Sequence, residues 1–125
     1  MKVSSGLARG SAAPSGAVFP AGCPSRVVLD HVTSKWGVLI LVALDDGEQR
    51  WSDLRRRADG ISEKMLAQTL KVLERDGLVH REAQPSIPPR VDYSLTPRGR
   101  ELTAHLLPLF GWVVENADEI MDGQH

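Results

Sequence analysis

From Gly60 to Leu78 the chain reads GISEKMLAQTLKVLERDGL, and its apolar residues return at three- and four-residue steps. Leu66, Leu70 and Leu73, with Met65 and Val72 beside them, therefore gather on one side of a helix. Lys64, Gln68, Lys71 and Arg75 recur at the same steps on the opposite side. Ser62 stands where an N-cap is expected, and Gly77 suits the left-handed position after the helix end. Leu78 can then close a Schellman motif.

Other patterns flank this one. KWGVLILVAL, residues 35–44, is apolar all round, which predicts a core helix; Asp45-Asp46-Gly47 ends it with turn chemistry. Pro24 suits a first helical position, so Cys23 falls at or near the N-cap of a helix over about Pro24–Val32, with Val27, Val28 and His31 inward. Glu48–Trp51 predicts a short strand. Ser52 is expected to cap a helix through Ala58, with Leu54 and Ala58 inward and Arg55, Arg56 and Arg57 outward. Leu78–Gln84 and Arg90–Leu95 predict two strands, the second alternating Val91, Tyr93 and Leu95 onto one face. The PSIPP between them cannot continue a ladder, because proline lacks a donor. Thr96-Pro97 opens a last helix to Met121, about 35 Å long at 1.5 Å per residue, in which Pro108 is expected to introduce a kink.

Helix, helix, strand, helix, helix, two strands and a long helix is the order of a winged helix-turn-helix. The predicted class is thus α+β, mainly helical, with a β-hairpin wing and a long C-terminal dimerisation helix. In such modules the second helix of the pair enters the major groove of double-stranded DNA. Gln68 can then bond adenine bidentately, and Lys64 or Lys71 can reach guanine or phosphate. Ser62 and the helix N-terminus can hold a phosphate. Arg90 on the wing can reach the flanking backbone or minor groove, and Arg55 extends the cationic surface. Taken singly, lysines on a helix face are usually solvated charges; their common placement on one face of this architecture is what favours DNA.

Leu102, Leu106, Leu109, Phe110, Val113, Ala117 and Ile120 form a long stripe on the last helix. A domain this small cannot cover all of it, so a homodimer through this helix, aided by the first, is expected.

Composition narrows the remaining classes. The 125 residues suffice for one modest core, expected over 22–122, with 1–21 a disordered Gly/Ser/Ala/Pro-rich tail. Net charge is -1, yet residues 61–100 carry seven basic and five acidic side chains, while 101–125 carry five acidic ones alone. An acidic last helix thus masks a mildly basic middle, and DNA affinity follows the local count of phosphate contacts. Cys23 is the sole cysteine, which excludes an intrachain disulfide and fits a reducing cytoplasm. No apolar run approaches the ~18 residues of a membrane helix, and the N-terminus lacks a signal peptide's apolar segment. His31, His80, His105 and His125 show no metal-ligand spacing, and no phosphate loop or nucleophile motif appears. No catalysis, metal or cofactor is expected. A winged-helix module that binds protein instead of DNA is the alternative.

Three stretches carry a family resemblance: CPSRVVLDHVTSKWGVLILVAL, WSDLRRRADGISEKMLAQTLKVLERDGLVHRE and PPRVDYSLTPRGREL. Over about residues 23–121 they resemble the bacterial HxlR-type transcriptional regulators. The resemblance implies a dimeric winged-helix repressor or activator without catalytic activity. The family's recognition helix reads SxKMLxQRLxxLExDGL; Ser62, Lys64, Met65, Leu66, Gln68, Leu70, Leu73, Glu74, Asp76, Gly77 and Leu78 agree with it. Thr69 stands where arginine is common, which removes a contact and alters the expected operator. Trp51 replaces a more usual phenylalanine. Several members sense oxidants or electrophiles through a cysteine just before the first helix, where Cys23 lies, so the resemblance also implies a redox or small-molecule effector. The alternative reading of Cys23 is a small, partly buried cap that packs and does not react.

Overall fold

A computed structural model describes residues 20–123; most of the expected N-terminal tail, and His125, lie outside the described residues. The chain divides into two units, Met1–Ser34 and Lys35–His125, each of which follows its own local logic.

In the first unit, α1 spans Pro24–Thr33. Cys23 is the N-cap in extended geometry, and its side chain makes no capping bond; its carbonyl accepts from the Val27 amide at 3.1 Å. Thr33 Oγ1 donates back to the Leu29 carbonyl at 2.6 Å and Ser34 Oγ to that of His31 at 3.0 Å, closing the helix. The expected inward face needs correction. Val27 and Val28 are 41% and 45% exposed, and Val32 is the buried residue. Val27 lies off the side of Val32, and Val28, one turn earlier on the same side, stays exposed, so cover begins only at the last turn of α1.

In the second unit, α2 (Lys35–Leu44) buries Gly37, Ile40, Leu41, Ala43 and Leu44, as a core helix should. Its last carbonyls, beyond intrahelical reach, accept from the following turn (Asp45, Asp46 and Gly47 amides to Val42, Ala43 and Leu44), and two side chains from downstream add to Ala43. Gln49 Nε2 donates to the Ala43 carbonyl, and Arg57 Nη1 does so at 3.2 Å while Arg57 Nη2 holds Asp46 at 2.7 Å. β1 is only Gln49–Arg50 and runs directly into α3, Trp51–Arg57. The helix therefore starts two residues earlier than its sequence suggests, with Arg50 rather than Ser52 before it. Arg50 is the cap, without a side-chain bond, and Ser52 lies inside the first turn.

α4 (Glu63–Arg75) follows its pattern closely. The Ser62 hydroxyl accepts from the Met65 amide at 3.1 Å, and Leu66, Leu70 and Leu73 are buried; Met65 stays exposed. At the other end the Leu78 amide donates to Leu73 and the Gly77 amide to Glu74, both at 3.0 Å, with Gly77 at φ +76°. These are the paired bonds of a Schellman motif. β2 (Val79–Gln84) and β3 (Arg90–Leu95) pair antiparallel, and β1 adds to the far side of β3, giving the order β1-β3-β2.

The last helix, α5 (Pro97–Asp122), continues through Pro108. Its start is bolted to the end of α4. Thr96 Oγ1 donates to the Gly77 carbonyl at 2.6 Å and accepts from the Gly99 amide at 3.0 Å, while the Thr96 amide donates to Leu78 at 3.0 Å. This places the wing and the recognition-type helix in one fixed frame.

Along α5, Gly99, Thr103 and Leu106 form the buried stripe. Thr103 is fully buried and its hydroxyl has no hydrogen-bond partner among the described residues. Valine has nearly the same shape and no hydroxyl to leave unsatisfied. Thr103→Val should therefore raise stability by about 1 kcal/mol in urea denaturation; a lower midpoint would show that the hydroxyl is bonded after all.

Candidate nucleic-acid interface

The outer face of α4 presents Lys64, Gln68, Lys71 and Arg75, all exposed. Lys64 and Lys71 make no ion pair and Gln68 no hydrogen bond among the described residues. Thr69, beside Gln68, is only partly exposed and lies at the edge of this face. The Ser62 hydroxyl is committed to its cap, so its contribution to an anion would come through the helix terminus as a whole. The α3–α4 corner is cationic but paired. Arg55 Nη1 lies 3.5 Å from Glu63, and Arg56 Nη2 lies 2.5 Å from Asp53. Such exposed pairs are weak and readily exchanged for phosphate.

The wing base has more structure than its sequence announced. Asp92 is only 2% exposed. It accepts from Arg90 Nε and Nη2 at 3.2–3.3 Å and from Gln84 Nε2 at 3.3 Å. Arg90 is thus a held side chain rather than the freely reaching one expected from sequence. Its guanidinium remains partly exposed, so it offers a positioned cation at the wing. Arg50 stands opposite Asp92 across β1 and β3, and Arg50 and Arg90 line one cleft with Trp51, Ser52 and the wing tip. Arg81, which pairs with Tyr93 across β2 and β3, is the other cation that sequence reasoning passed over. Its signal was the alternation Val79, Arg81, Ala83, which sets it on the face of Tyr93.

The helix expected to dimerise divides in two. Leu106 is 7% exposed and belongs to the core, which corrects its assignment to a free face. Leu102, Phe110 and Ala117 are partly covered. Leu109, Trp112, Val113, Val114, Ile120 and Met121 are exposed. The division has a plain cause: Gly99, Thr103 and Leu106 sit at the helix repeat that meets the core, and the apolar residues beyond lie further along the same 26-residue rod. Cys23 carries a free, partly exposed thiol. Among the described residues no three His, Cys, Asp or Glu side chains are placed to hold a metal ion.

A capped amphipathic helix with unpaired cations, set between a short preceding helix and a three-stranded wing, has clear relatives. The sequence profile of HxlR-like helix-turn-helix proteins matches residues 31–121. The chain belongs to the HxlR-like helix-turn-helix family. Among its relatives is the HTH-type transcriptional regulator YtfH of Escherichia coli K12, 54% identical over 106 residues, 85% of this chain and 84% of YtfH. Of solved structures, the transcriptional regulator ytfH from Salmonella typhimurium superposes with a TM-score of 0.81 at 51% identity, covering 87% of this chain and 97% of that one. The redox regulator HypR in its oxidised form gives a TM-score of 0.70 at 38% identity, covering 75% and 97%. This HxlR-family chain is accordingly a winged-helix protein of the transcriptional-regulator class.

Proposed function

We propose that this HxlR-family protein binds duplex DNA sequence-specifically as a homodimer, represses or activates transcription from a pseudo-palindromic operator in the cytoplasm, and catalyses no reaction. The observation that carries this reading is the outer face of α4. Lys64, Gln68 and Lys71 stand exposed at i, i+4 and i+7, on a helix capped at both ends and fixed to the wing. An amide flanked by two unpaired cations matches base readout flanked by phosphate contacts. The exposed apolar residues of α5 from Leu109 onward support the homodimer, because a patch of that extent usually has a partner.

Binding to a duplex that carries the protein's own promoter should weaken steeply with salt, by about one log-log unit per phosphate contact. Gln68→Ala should cost ~1–3 kcal/mol at its base pair and relax the preference there. Unchanged affinity and preference would mean that α4 is docked differently. No duplex binding even at low salt would favour the protein-interaction module.

A redox input is the second element of the proposal, supported by the partly exposed Cys23 thiol at the head of α1 and by the relative named as a redox regulator. An oxidant such as diamide takes two electrons from two thiols, joining Cys23 of two subunits or Cys23 and a small thiol. Diamide should change operator affinity in the parent and leave Cys23→Ser untouched; equal behaviour of the two proteins removes Cys23 from regulation.

A further inference from the structure

Beneath the outer face of α4 lies a cleft of about 200 Å³ that shares only Lys71 with the proposed DNA-reading face. One wall is a single stripe of α4: Ala67, Leu70, Lys71 and Glu74, at i, i+3, i+4 and i+7. The other wall is the Arg81–Tyr93 pair of β2 and β3, and Trp51 closes one end. The interior is apolar and aromatic, while Lys71, Arg81 and Glu74 rim it with a net charge of +1. None of these three makes an ion pair among the described residues. Tyr93 is 7% exposed; its hydroxyl makes no hydrogen bond among the described residues and is not fully enclosed, so water or a ligand can serve it.

These features select a ligand chemistry. A DNA phosphate could use the two cations but has nothing to offer the Trp51, Leu70 and Tyr93 surfaces. An aliphatic anion would leave Trp51 and Tyr93 without an aromatic partner. The volume lies below the ~300–1,000 Å³ of sites for drug-sized molecules and suits one ring. We propose that the cleft binds a one-ring aromatic carboxylate bearing a hydroxyl. The carboxylate meets Arg81 and Lys71, a planar fork and a point charge that favour such a group. The ring lies against Trp51, Leu70 and Tyr93, and the ring hydroxyl partners the Tyr93 hydroxyl or Glu74. Occupancy weakens duplex binding, because Lys71 cannot neutralise both the carboxylate and a DNA phosphate. This last step rests on the DNA-binding reading above; the binding step does not.

The test uses the full chain labelled with ¹⁵N and 4-hydroxybenzoate as the probe, with acetate balancing ionic strength. Indole signals of Trp36, Trp51 and Trp112 are followed, that of Trp51 being assigned with Trp51→Phe. The Trp51 signal should shift saturably and the other two should not. Arg81→Gln, at an exposed strand position, should weaken binding roughly 10- to 100-fold, and Tyr93→Phe several-fold. No saturable shift at Trp51, or equal affinity in Arg81→Gln, overturns the site. In a second arm, 4-hydroxybenzoate should lower duplex affinity of the parent and leave that of Arg81→Gln unchanged. Binding without any effect on the duplex overturns the regulatory step and leaves the cleft assigned. A parent that binds no duplex at all refutes the DNA reading, while the indole titration still decides the cleft.

Discussion

Gly99→Ala is expected to cost at least ~3 kcal/mol of folding stability, at or beyond the upper end of ordinary overpacking. A Cβ at this position would stand 2.0 Å from the Leu78 carbonyl oxygen, 3.0 Å from its carbon and 3.3 Å from Leu95 Cδ2. The first two obstacles are backbone, so no rotamer change relieves them. Nor can the backbone easily retreat. Leu78 closes the Schellman end of α4 and also accepts from the Thr96 amide, and Thr96 in turn bonds Gly77 and caps α5. Moving α5 outward breaks its cap; moving Leu78 loosens the end of the helix that carries Lys64, Gln68 and Lys71. A domain with ~5–15 kcal/mol in total has little to spare. Gly111→Ala is the matched control, since a Cβ there meets nothing within 4 Å, and it should leave stability equal or raise it by up to ~1 kcal/mol through helix propensity. Urea denaturation of the two variants beside the parent checks the pair. A Gly99→Ala protein as stable as the parent would show that the α4–α5 junction is far softer than its hydrogen bonds imply.

Lys64→Ala with Lys71→Ala should reduce duplex affinity by roughly three orders of magnitude at about 0.1 M salt. The estimate follows from counterion release. Each phosphate contact contributes close to one power of the salt concentration, and a dimer loses four contacts at once. The log-log salt slope should fall by about four units, and random duplex should suffer as much as the operator. That pattern separates these lysines from Gln68, whose loss acts at one base pair. Both lysines are exposed and make no ion pair among the described residues, so thermal stability should stay within about 0.5 kcal/mol of the parent. If duplex affinity survives the double substitution, the cationic face of α4 is a solvated surface and the DNA contact lies elsewhere.

Local patterns told a great deal, because they report on local physics. The period of leucines, Ser62 before them and Gly77 after them specify α4 and both of its caps without reference to any other element. The apolar run of α2 and the alternation of β3 likewise identify themselves. The candidate site on α4 was legible for the same reason: a polar face is what remains once the apolar face is known.

Tertiary structure decided which of several equivalent surfaces each side chain meets. Val27 and Val28 looked inward, but cover reaches α1 only at its last turn, where Val32 is buried. Leu106 and Leu109 belong to the same stripe in sequence, yet the first packs in the core and the second stays exposed. Arg90 read as a free wing cation until the buried Asp92 and Gln84 appeared beside it, an arrangement that strand register alone creates. Ser52 could not cap α3 because β1 delivers the chain into the helix two residues earlier. Arg81 became a candidate only when pairing with Tyr93 set it at the mouth of a cleft. The sequence by itself therefore determined the order of the elements, the caps of α4 and α5, and the family. Register and packing, which join residues far apart in the chain, decided which cations are free and which apolar residues still lack a partner.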